Sequence, residues 1–248
     1  MRALVVLPTY QEAGNIDTAL ARLRAAVPDA TVLVVDDNSP DGTADLAEAT
    51  GRELGNIEVL RRPGKDGLGS AYRAGFAHGL ERGYDVLVEI DADGSHDPAA
   101  LPELLAAVEQ GADLAIGSRY VPGGSTPEWP TSRRLISVIG NRYASFVLGL
   151  DVRDATAGFR AYRAEMLRKL DLAAQRADGY GFQVEMAYRI SRLGGRIVEV
   201  PIEFKDRVEG VSKMSWKIVA EALVLVTVWA VRDRVTGRHR RSRQLTSS

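Results

Sequence analysis

The chain has 248 residues, of which 45% are apolar, and this is enough to bury the full core of one α/β domain. Its 32 basic and 33 acidic residues leave a formal charge of -1, which excludes a global positive field that recruits nucleic acid. There is no cysteine, which excludes disulfides and thiolate metal sites.

The N-terminal stretch MRALVVLPTY carries only a short apolar run before Pro8. A secretory signal peptide has a longer apolar region followed by a small-residue cleavage site. We therefore expect synthesis and folding in the cytoplasm.

Five short apolar runs, separated by segments of helical spacing, fill the first 120 residues. They read ALVVL, TVLVV, IEVL, DVLVEI and DLAIGS. Such alternation is typical of repeated βαβ units, and runs this uniformly apolar suit a mostly parallel sheet covered by helices on both faces. Ligands of such sheets bind beyond the carboxyl ends of the strands. We therefore expect the polar loops after the five runs to converge on one cleft.

The pattern changes after residue 120. Glycines and prolines between 123 and 130 indicate a loop, and residues 133 to about 150 then read as a helix that starts with two arginines. Two further helices are predicted from about 164 to 193. The stretch GRIVEVPIEF then reads as an edge strand, where a proline such as Pro201 is tolerated.

The apolar run IVAEALVLVTVWAV, residues 218–231, has 14 residues, whereas a membrane-spanning helix takes about 20. The segment 232–243 behind it holds six arginines and one aspartate, a local charge of +5. A helix over about 214–233 followed by these arginines predicts an amphipathic element that lies on an anionic membrane surface. The alternative for the run is an ordinary core helix.

The stretch LVEIDADGSHDP places two carboxylates, Asp91 and Asp93, directly after an apolar strand. Such a pair can bind a divalent metal, or divide between a ribose and a metal that neutralises a diphosphate. The alternative is an aspartate-rich turn, with Asp93 or Asp97 capping the helix that follows.

Two earlier loops carry residues suited to a nucleoside. In VVDDNSPDGT, Asp36 closes a strand where an acid can hold ribose hydroxyls or a base edge, while the rest of the motif reads as turn and cap. In LPTYQEAGN, Pro8 and Tyr10 are a candidate wall for a planar base. Glu12 either belongs to the same nucleoside site or is an ordinary acid in the first turn of the next helix. The later glycine-rich GKDGLGSA matches no phosphate-binding fingerprint and predicts a tight strand-to-helix turn.

Scattered cations fall in or near the loops expected around the carboxylates: Arg119, Arg133, Arg134, Arg207 and Lys213. Each alone is most often a solvated surface charge. Together with a metal site they suit more than one phosphate, because arginine offers a bidentate fork and a helix start adds N–H donors.

With DDNSPDGT, DADGSH, GSRY, DATAGFRAYR and DRVEGVSKMS in this order, the chain resembles family 2 glycosyltransferases of the GT-A fold, and more narrowly the polyprenol (dolichol) phosphate mannose synthases. The resemblance spans roughly residues 3 to 218. It implies a GDP-mannose donor, a polyprenyl monophosphate acceptor and a divalent cation, Mg or Mn. From this resemblance together with the apolar run and the basic tail, we expect a catalytic domain over 1–213 and a membrane-surface segment over 214–248.

Carried over position by position, the resemblance implies three groups of site residues. Guanosine would contact Pro8, Tyr10, Glu12, Val34 and Asp36. Ribose, metal and diphosphate would be held by Asp91, Ala92 and Asp93, with Ser95 as a further metal ligand where some relatives carry glutamine. The acceptor phosphate would meet Arg119, Arg133 and Ser137, while Arg119, Arg207 and Lys213 would also face the nucleotide sugar. The residues expected to carry catalysis are Asp93, Arg119 and Arg133.

A phosphate acceptor removes the need for a catalytic base, since its second pKa is near 6 and it arrives mostly anionic. We expect its oxygen to attack the anomeric carbon with inversion, giving β-mannosyl phosphate. The protein would act peripherally at the cytoplasmic face of the membrane, alone or with a membrane-embedded partner protein. Two alternatives stay open: a polyprenyl phosphate glucosyltransferase that uses UDP-glucose, and a non-catalytic sugar-nucleotide-binding subunit. The arginine-rich tail lacks the aromatic surface of a nucleic-acid binder.

Overall fold

A computed structural model describes residues 1–172, 179–206 and 226–229, except for the side chain of Tyr180. Alternating strands and helices make up the first half of the chain, as the sequence predicts. They are β1 (Ala3–Thr9), α1 (Ile16–Ala26), β2 (Thr31–Asp36), α2 (Thr43–Leu54), β3 (Ile57–Arg61), α3 (Leu68–Glu81), β4 (Val86–Glu89), a 3-10 turn (Pro98–Ala100), α4 (Leu101–Glu109) and β5 (Leu114–Ser118).

The described part of the second half adds further helices, and two strands that join the same sheet. They are α5 (Thr131–Leu148), β6 (Arg160–Arg163), α6 (Ala164–Lys169), α7 (Tyr180–Arg192) and β7 (Ile197–Pro201). The helix predicted over 133 to about 150, the two helices predicted between about 164 and 193, and the edge strand that ends in Pro201 are thus confirmed. Strand β6 was not predicted, because its four residues, RAYR, show no apolar run.

The strands form one seven-stranded sheet in the order β3-β2-β1-β4-β6-β5-β7. All described pairings are parallel except those of β6, which runs antiparallel to both β4 and β5. This confirms the expected mostly parallel sheet. Because β6 is reversed, its first residue lies at the edge where its neighbours end, so the chain enters β6 from the side of the carboxyl-end loops.

Both faces of the sheet are covered, which is why an inner parallel strand such as β1 is mainly apolar on both faces. Along β1, Leu4 and Val6 belong to the core on one face, with α3 and α7, whereas Val5 and Leu7 belong to the core on the other, with α1 and α4. All four side chains are at most 1% exposed.

Helix α3 lies unusually close to the sheet because two glycines face it. A Cβ at Gly79 would lie 2.6 Å from Cδ2 of Leu87 and 2.8 Å from Cδ2 of Leu4, and one at Gly75 would overlap Val6. Alanine at either position would push the helix outward. The close approach brings the N-terminal half of α3 against the carboxyl ends of β1 and β4.

Among the described residues, no helix is both long and apolar enough to cross a membrane. The predicted amphipathic helix over 214–233 and the basic tail lie outside the described residues, except for 226–229, which are helical. There Val226 is buried in the core, whereas Val228 is 54% exposed. The predicted domain boundary at residue 213 also lies outside the described part.

Candidate active site

The carboxyl ends of β1, β2 and β4 meet at one edge of the sheet. Thr9 pairs with Asp36 at the ends of β1 and β2, and Val6 pairs with Glu89 at the end of β4. Asp91 follows two residues later. The polar loops after the first, second and fourth strands are therefore brought together, as the sequence predicts.

Asp36 is only 2% exposed, and both of its carboxylate oxygens accept hydrogen bonds from neighbouring loops. Oδ1 accepts from the hydroxyls of Thr9 at 3.0 Å and Ser39 at 2.6 Å, and Oδ2 accepts from the backbone N–H of Ser39 at 2.9 Å. In this geometry Asp36 ties the β1 and β2 loops together. Its contact with a nucleoside remains a prediction.

The other residues expected around guanosine have different surroundings. Val34 is fully buried in the core, a position that suits packing. Half-buried Tyr10 lies under Lys65, whose Nζ is 3.9 Å from the ring centroid. The backbone N–H of Glu12 donates to Thr43 and its carboxylate accepts from Asn15. Glu12 lies four residues before α1, whose first-turn acid is Asp17, so the alternative of a first-turn acid is wrong. Pro8 lies on β1, opposite Val35, so its expected base contact remains a prediction.

A second buried acid at this edge was missed in the sequence. Asp37 is 6% exposed and accepts from Arg62 at 2.6 Å, while the other arm of Arg62 donates to Ser70 on α3 at 2.7 Å. Burial raises the pKa of Asp37 and the charge of Arg62 offsets part of that rise. An arginine pair directly after the third apolar run was the available signal.

Asp91 and Asp93 lie in the loop after β4 and are held differently. Asp91 is half-buried, and its Oδ1 accepts from the hydroxyl of Tyr72 on α3 at 2.8 Å. Asp93 is 9% exposed, and its Oδ1 accepts from the backbone N–H of Ser95 at 3.0 Å. The cap of the following 3-10 turn is Asp97, which accepts from the N–H of Ala99. Capping therefore accounts for Asp97 and not for the DAD pair.

Ser95 is buried with a hydroxyl that no described residue satisfies, and its role as a metal ligand remains a prediction. It is 2% exposed, and its Oγ has no hydrogen-bond partner among the described residues. Ala92, between the two aspartates, is buried at 4%. No group of three or more His, Cys, Asp or Glu side chains in the described ranges is arranged to hold a metal. Two carboxylates and one hydroxyl still suit a hard cation such as Mg or Mn, which prefers oxygen ligands and keeps water or substrate oxygens.

A fully buried polar layer lies beneath the DAD loop. Glu89 accepts from the hydroxyl of Tyr162 at 2.9 Å and lies 3.6 Å from Nε of Arg160. Arg160 donates to the carbonyls of Ala155, Ala157 and Gln183, each at 2.7 Å. Burial raises the pKa of Glu89 to about 8, and the attraction of Arg160 offsets the rise only in part. Arg160 thus joins the loop before β6 to α7, a role that the sequence did not predict.

Arg119 is bound to another residue of the chain and not open to solvent. It is 6% exposed and donates to both oxygens of Asp154, from Nε at 2.7 Å and from Nη2 at 2.6 Å, and also to Thr156. Burial acts to raise the pKa of Asp154, but Arg119 outweighs it and the net shift is downward. The predicted phosphate contact of Arg119 finds no support in this pairing and remains a prediction.

Arg133, in the first turn of α5, is the more accessible cation, at 23% side-chain exposure. Its guanidinium lies 4.0 Å from the ring centroid of Trp129, and its Nη1 donates to Asp206 at 2.8 Å. The indole N–H of Trp129 donates to the same oxygen at 3.0 Å. Two donors therefore converge on one anionic oxygen, an arrangement that suits a phosphate equally.

Ser137 lies one helical turn beyond Arg133, where its Oγ accepts from the hydroxyl of Tyr120 at 2.7 Å. Residues i and i+4 share a helix face, so Ser137 and Arg133 point to the same side of α5. The predicted nucleotide ligands Arg207 and Lys213 lie outside the described residues.

The model of glycosyl transferase family 2 matches residues 4–171 of the chain. An undecaprenyl-phosphate mannosyltransferase from Micrococcus luteus is 58% identical over 96% of this chain and 97% of its own length. A polyprenol monophosphomannose synthase from Mycolicibacterium smegmatis is 50% identical over 94% of this chain and 89% of its own.

Two solved structures share the fold. A mannosyltransferase from Pyrobaculum calidifontis, in complex with GDP-Man and Mn2+, has a TM-score of 0.65 at 18% identity; the match covers 94% of this chain but only 64% of that one. A mannosyl-3-phosphoglycerate synthase from Rubrobacter xylanophilus has a TM-score of 0.66 at 20% identity, over 96% and 75% of the two chains. These likenesses confirm the expected GT-A type of α/β fold.

Proposed function

Because the chain belongs to glycosyl transferase family 2, we propose that it transfers mannose from GDP-mannose to a polyprenyl monophosphate and inverts the anomeric centre. The observation that carries this proposal is the 58% identity, over nearly the full length of both chains, to a relative described as an undecaprenyl-phosphate mannosyltransferase. The acids and cations gathered at the carboxyl edge of the sheet are chemically suited to this reaction.

The donor would bind at the ends of β1, β2 and β4. Asp91, Asp93 and Ser95 would hold a divalent cation, Mg or Mn, which when bound offsets the charge of the donor diphosphate. The unsatisfied Ser95 hydroxyl, in a residue whose backbone N–H donates to Asp93, supports this assignment. Tyr10 would contribute an aromatic face to the base, on the side now covered by Lys65.

The acceptor side centres on α5. Arg133 would bind the acceptor phosphate in place of the Asp206 carboxylate, assisted by the indole N–H of Trp129 and by Ser137. Opposite unit charges 4 Å apart interact by about 4 kcal/mol at an effective dielectric constant of 20. A cation here therefore offsets much of the repulsion between the acceptor and the donor diphosphate.

The acceptor phosphate needs no base, because it is mostly a dianion at neutral pH. One of its oxygens forms a bond to the anomeric carbon while the bond from that carbon to the β-phosphate oxygen of GDP breaks. GDP leaves with the electron pair. The contribution of the protein is to hold the two anions in line and to stabilise the charge that develops on the leaving group.

We assign the exposed face of α5 to the membrane surface from which the lipid acceptor is drawn. Five of its large apolar side chains are exposed, namely Leu135, Ile136, Ile139, Tyr143 and Phe146, the last at 88%. The helix carries three arginines and no acidic residue. An apolar face with basic flanks suits a bilayer interface that contains anionic lipid. The protein would act there peripherally, on the cytoplasmic face.

The test is transfer of radiolabelled sugar to a short polyprenyl phosphate in detergent, from GDP-mannose or UDP-glucose, with Mg or Mn and with EDTA. Mannose-selective labelling that EDTA abolishes supports the proposal. Labelling from UDP-glucose alone would support sugar transfer to the polyprenyl phosphate but would contradict mannose as the transferred sugar. Failure of both donors with purified protein, followed by labelling once a membrane extract is added, would indicate a required membrane-embedded partner.

A further inference from the structure

The phenol of Tyr72 is fully buried, yet its hydroxyl reaches the edge where the candidate donor site lies. It donates to Oδ1 of Asp91 at 2.8 Å, from α3 to the loop after β4. We propose that Tyr72 is a positioning residue that holds the Asp91 carboxylate in the orientation required to bind the donor and its cation. This inference rests on the proposed function.

The ring of Tyr72 has little freedom to move. It stacks on Phe182 of α7, with centroids 6.1 Å apart and planes 6° apart, and on Phe76 one turn further along α3, also at 6.1 Å. A stacked aromatic ring in a close-packed core keeps one rotamer. The hydroxyl is therefore a fixed point to which the carboxylate must orient.

The backbone on both sides of this hydrogen bond is fixed as well. Gly75 and Gly79 let α3 approach β1 and β4 closely, which sets the height of Tyr72 above the sheet. On the other side, the N–H of Ile90 donates to the carbonyl of Val6, so Asp91 leaves the sheet from a hydrogen-bonded residue. With both ends held, this hydrogen bond favours one orientation of the Asp91 carboxylate.

The second oxygen of Asp91 lies on the side of the loop before β6. A Cβ at Gly158 would lie 3.8 Å from Oδ2 and 3.6 Å from Nε2 of Gln183, in ordinary van der Waals contact. Tyr72 thus orients Oδ1 toward α3, while Oδ2 lies near this loop. An outer hydrogen bond of this kind orients a ligating carboxylate, and its removal typically weakens metal binding about 10- to 100-fold.

The chain offers a matched control. Tyr162 is also fully buried and also donates its hydroxyl to a carboxylate at 2.9 Å, but that carboxylate is Glu89, beneath the site. Tyr72→Phe and Tyr162→Phe each remove one hydroxyl and keep the ring. A merely structural role predicts similar effects of the two changes, whereas positioning of Asp91 predicts a binding defect in Tyr72→Phe alone.

Binding of GDP is measured by calorimetry at a series of Mn2+ concentrations, with thermal unfolding of each variant alongside. We expect Tyr72→Phe to need about tenfold more Mn2+ for half-maximal GDP binding, and Tyr162→Phe to need the same as the parent protein. Equal Mn2+ requirements in parent and Tyr72→Phe would overturn the inference. A parent protein with no Mn2+-dependent GDP binding would instead overturn the proposed function, and this inference with it.

A double-mutant cycle with Asp91→Asn tests the route of the effect. If Tyr72 acts through Asp91, adding Tyr72→Phe to Asp91→Asn weakens GDP binding no further. Independent losses that multiply would show that Tyr72 acts elsewhere. The cycle separates positioning from a general loosening of the fold, because loosening by the Tyr72 change would persist in the Asp91→Asn background.

Discussion

Glu89 predicts a measurable dependence of stability on pH. Its carboxyl is fully buried at the end of β4 and accepts a hydrogen bond from Tyr162. Burial raises its pKa from 4.5 to about 8, despite the Arg160 guanidinium 3.6 Å away. The folded protein therefore holds this proton more strongly than the unfolded chain does.

The sign follows from proton linkage. Between pH 4.5 and 8 the folded state binds more protons at Glu89 than the unfolded state, so the free energy of unfolding falls as pH rises through this window. The contribution is fully present below pH 4.5 and lost above 8. Integrating this difference in bound protons from about pH 6 to about pH 9 gives a decrease of about 3 kcal/mol in the free energy of unfolding from this one group.

The assay is urea unfolding of the parent protein and of Glu89→Gln at about pH 6 and about pH 9. Glutamine keeps the shape and can still accept from Tyr162, but it does not ionise. We expect the stability of the variant relative to the parent protein to increase by about 3 kcal/mol between the lower and the higher pH. Subtracting the two profiles removes every other titrating group. Parallel profiles would refute the reasoning and show that Arg160 keeps Glu89 ionised throughout.

Three further outcomes are expected. Asp154→Asn should lower the free energy of unfolding by about 3–5 kcal/mol in urea titrations, because it removes the carboxylate that pairs with the buried Arg119 charge. A loss below about 1 kcal/mol would contradict this and would favour a role for Arg119 in binding phosphate. Asp206→Asn should lower the KM for polyprenyl phosphate in the transfer assay, since the carboxylate competes for Arg133; an unchanged KM contradicts that competition. Phe146→Asp should reduce flotation with anionic vesicles while leaving GDP binding intact, and undiminished flotation would exclude the exposed face of α5 from the membrane contact.

The sequence predicted the structure correctly wherever the relevant pattern is formed by residues close together in the chain. Uniformly apolar runs, bounded by turn residues, identify strands because only the interior of a sheet covered on both faces suits them. The runs thus predicted the parallel strands and the edge where their loops meet. The order of the motifs also identified the family, because DADGSH and DATAGFRAYR combine chemistry and spacing that few folds share.

Local patterns did not reveal which polar side chains pair with one another. Arg119 and Asp154 are 35 residues apart, and Tyr72 and Asp91 are 19 apart, so only the packing of α3 and of the loop before β6 brings them together. The same holds for Arg160, which reads as a surface charge in RAYR but is completely buried because β6 runs antiparallel between two parallel neighbours. Apolar runs and turn residues are patterns formed by neighbouring residues, and these patterns determined the fold class and the sheet edge that carries the site. Burial and pairing of charges depend on register across the sheet, and the tertiary structure alone decided them.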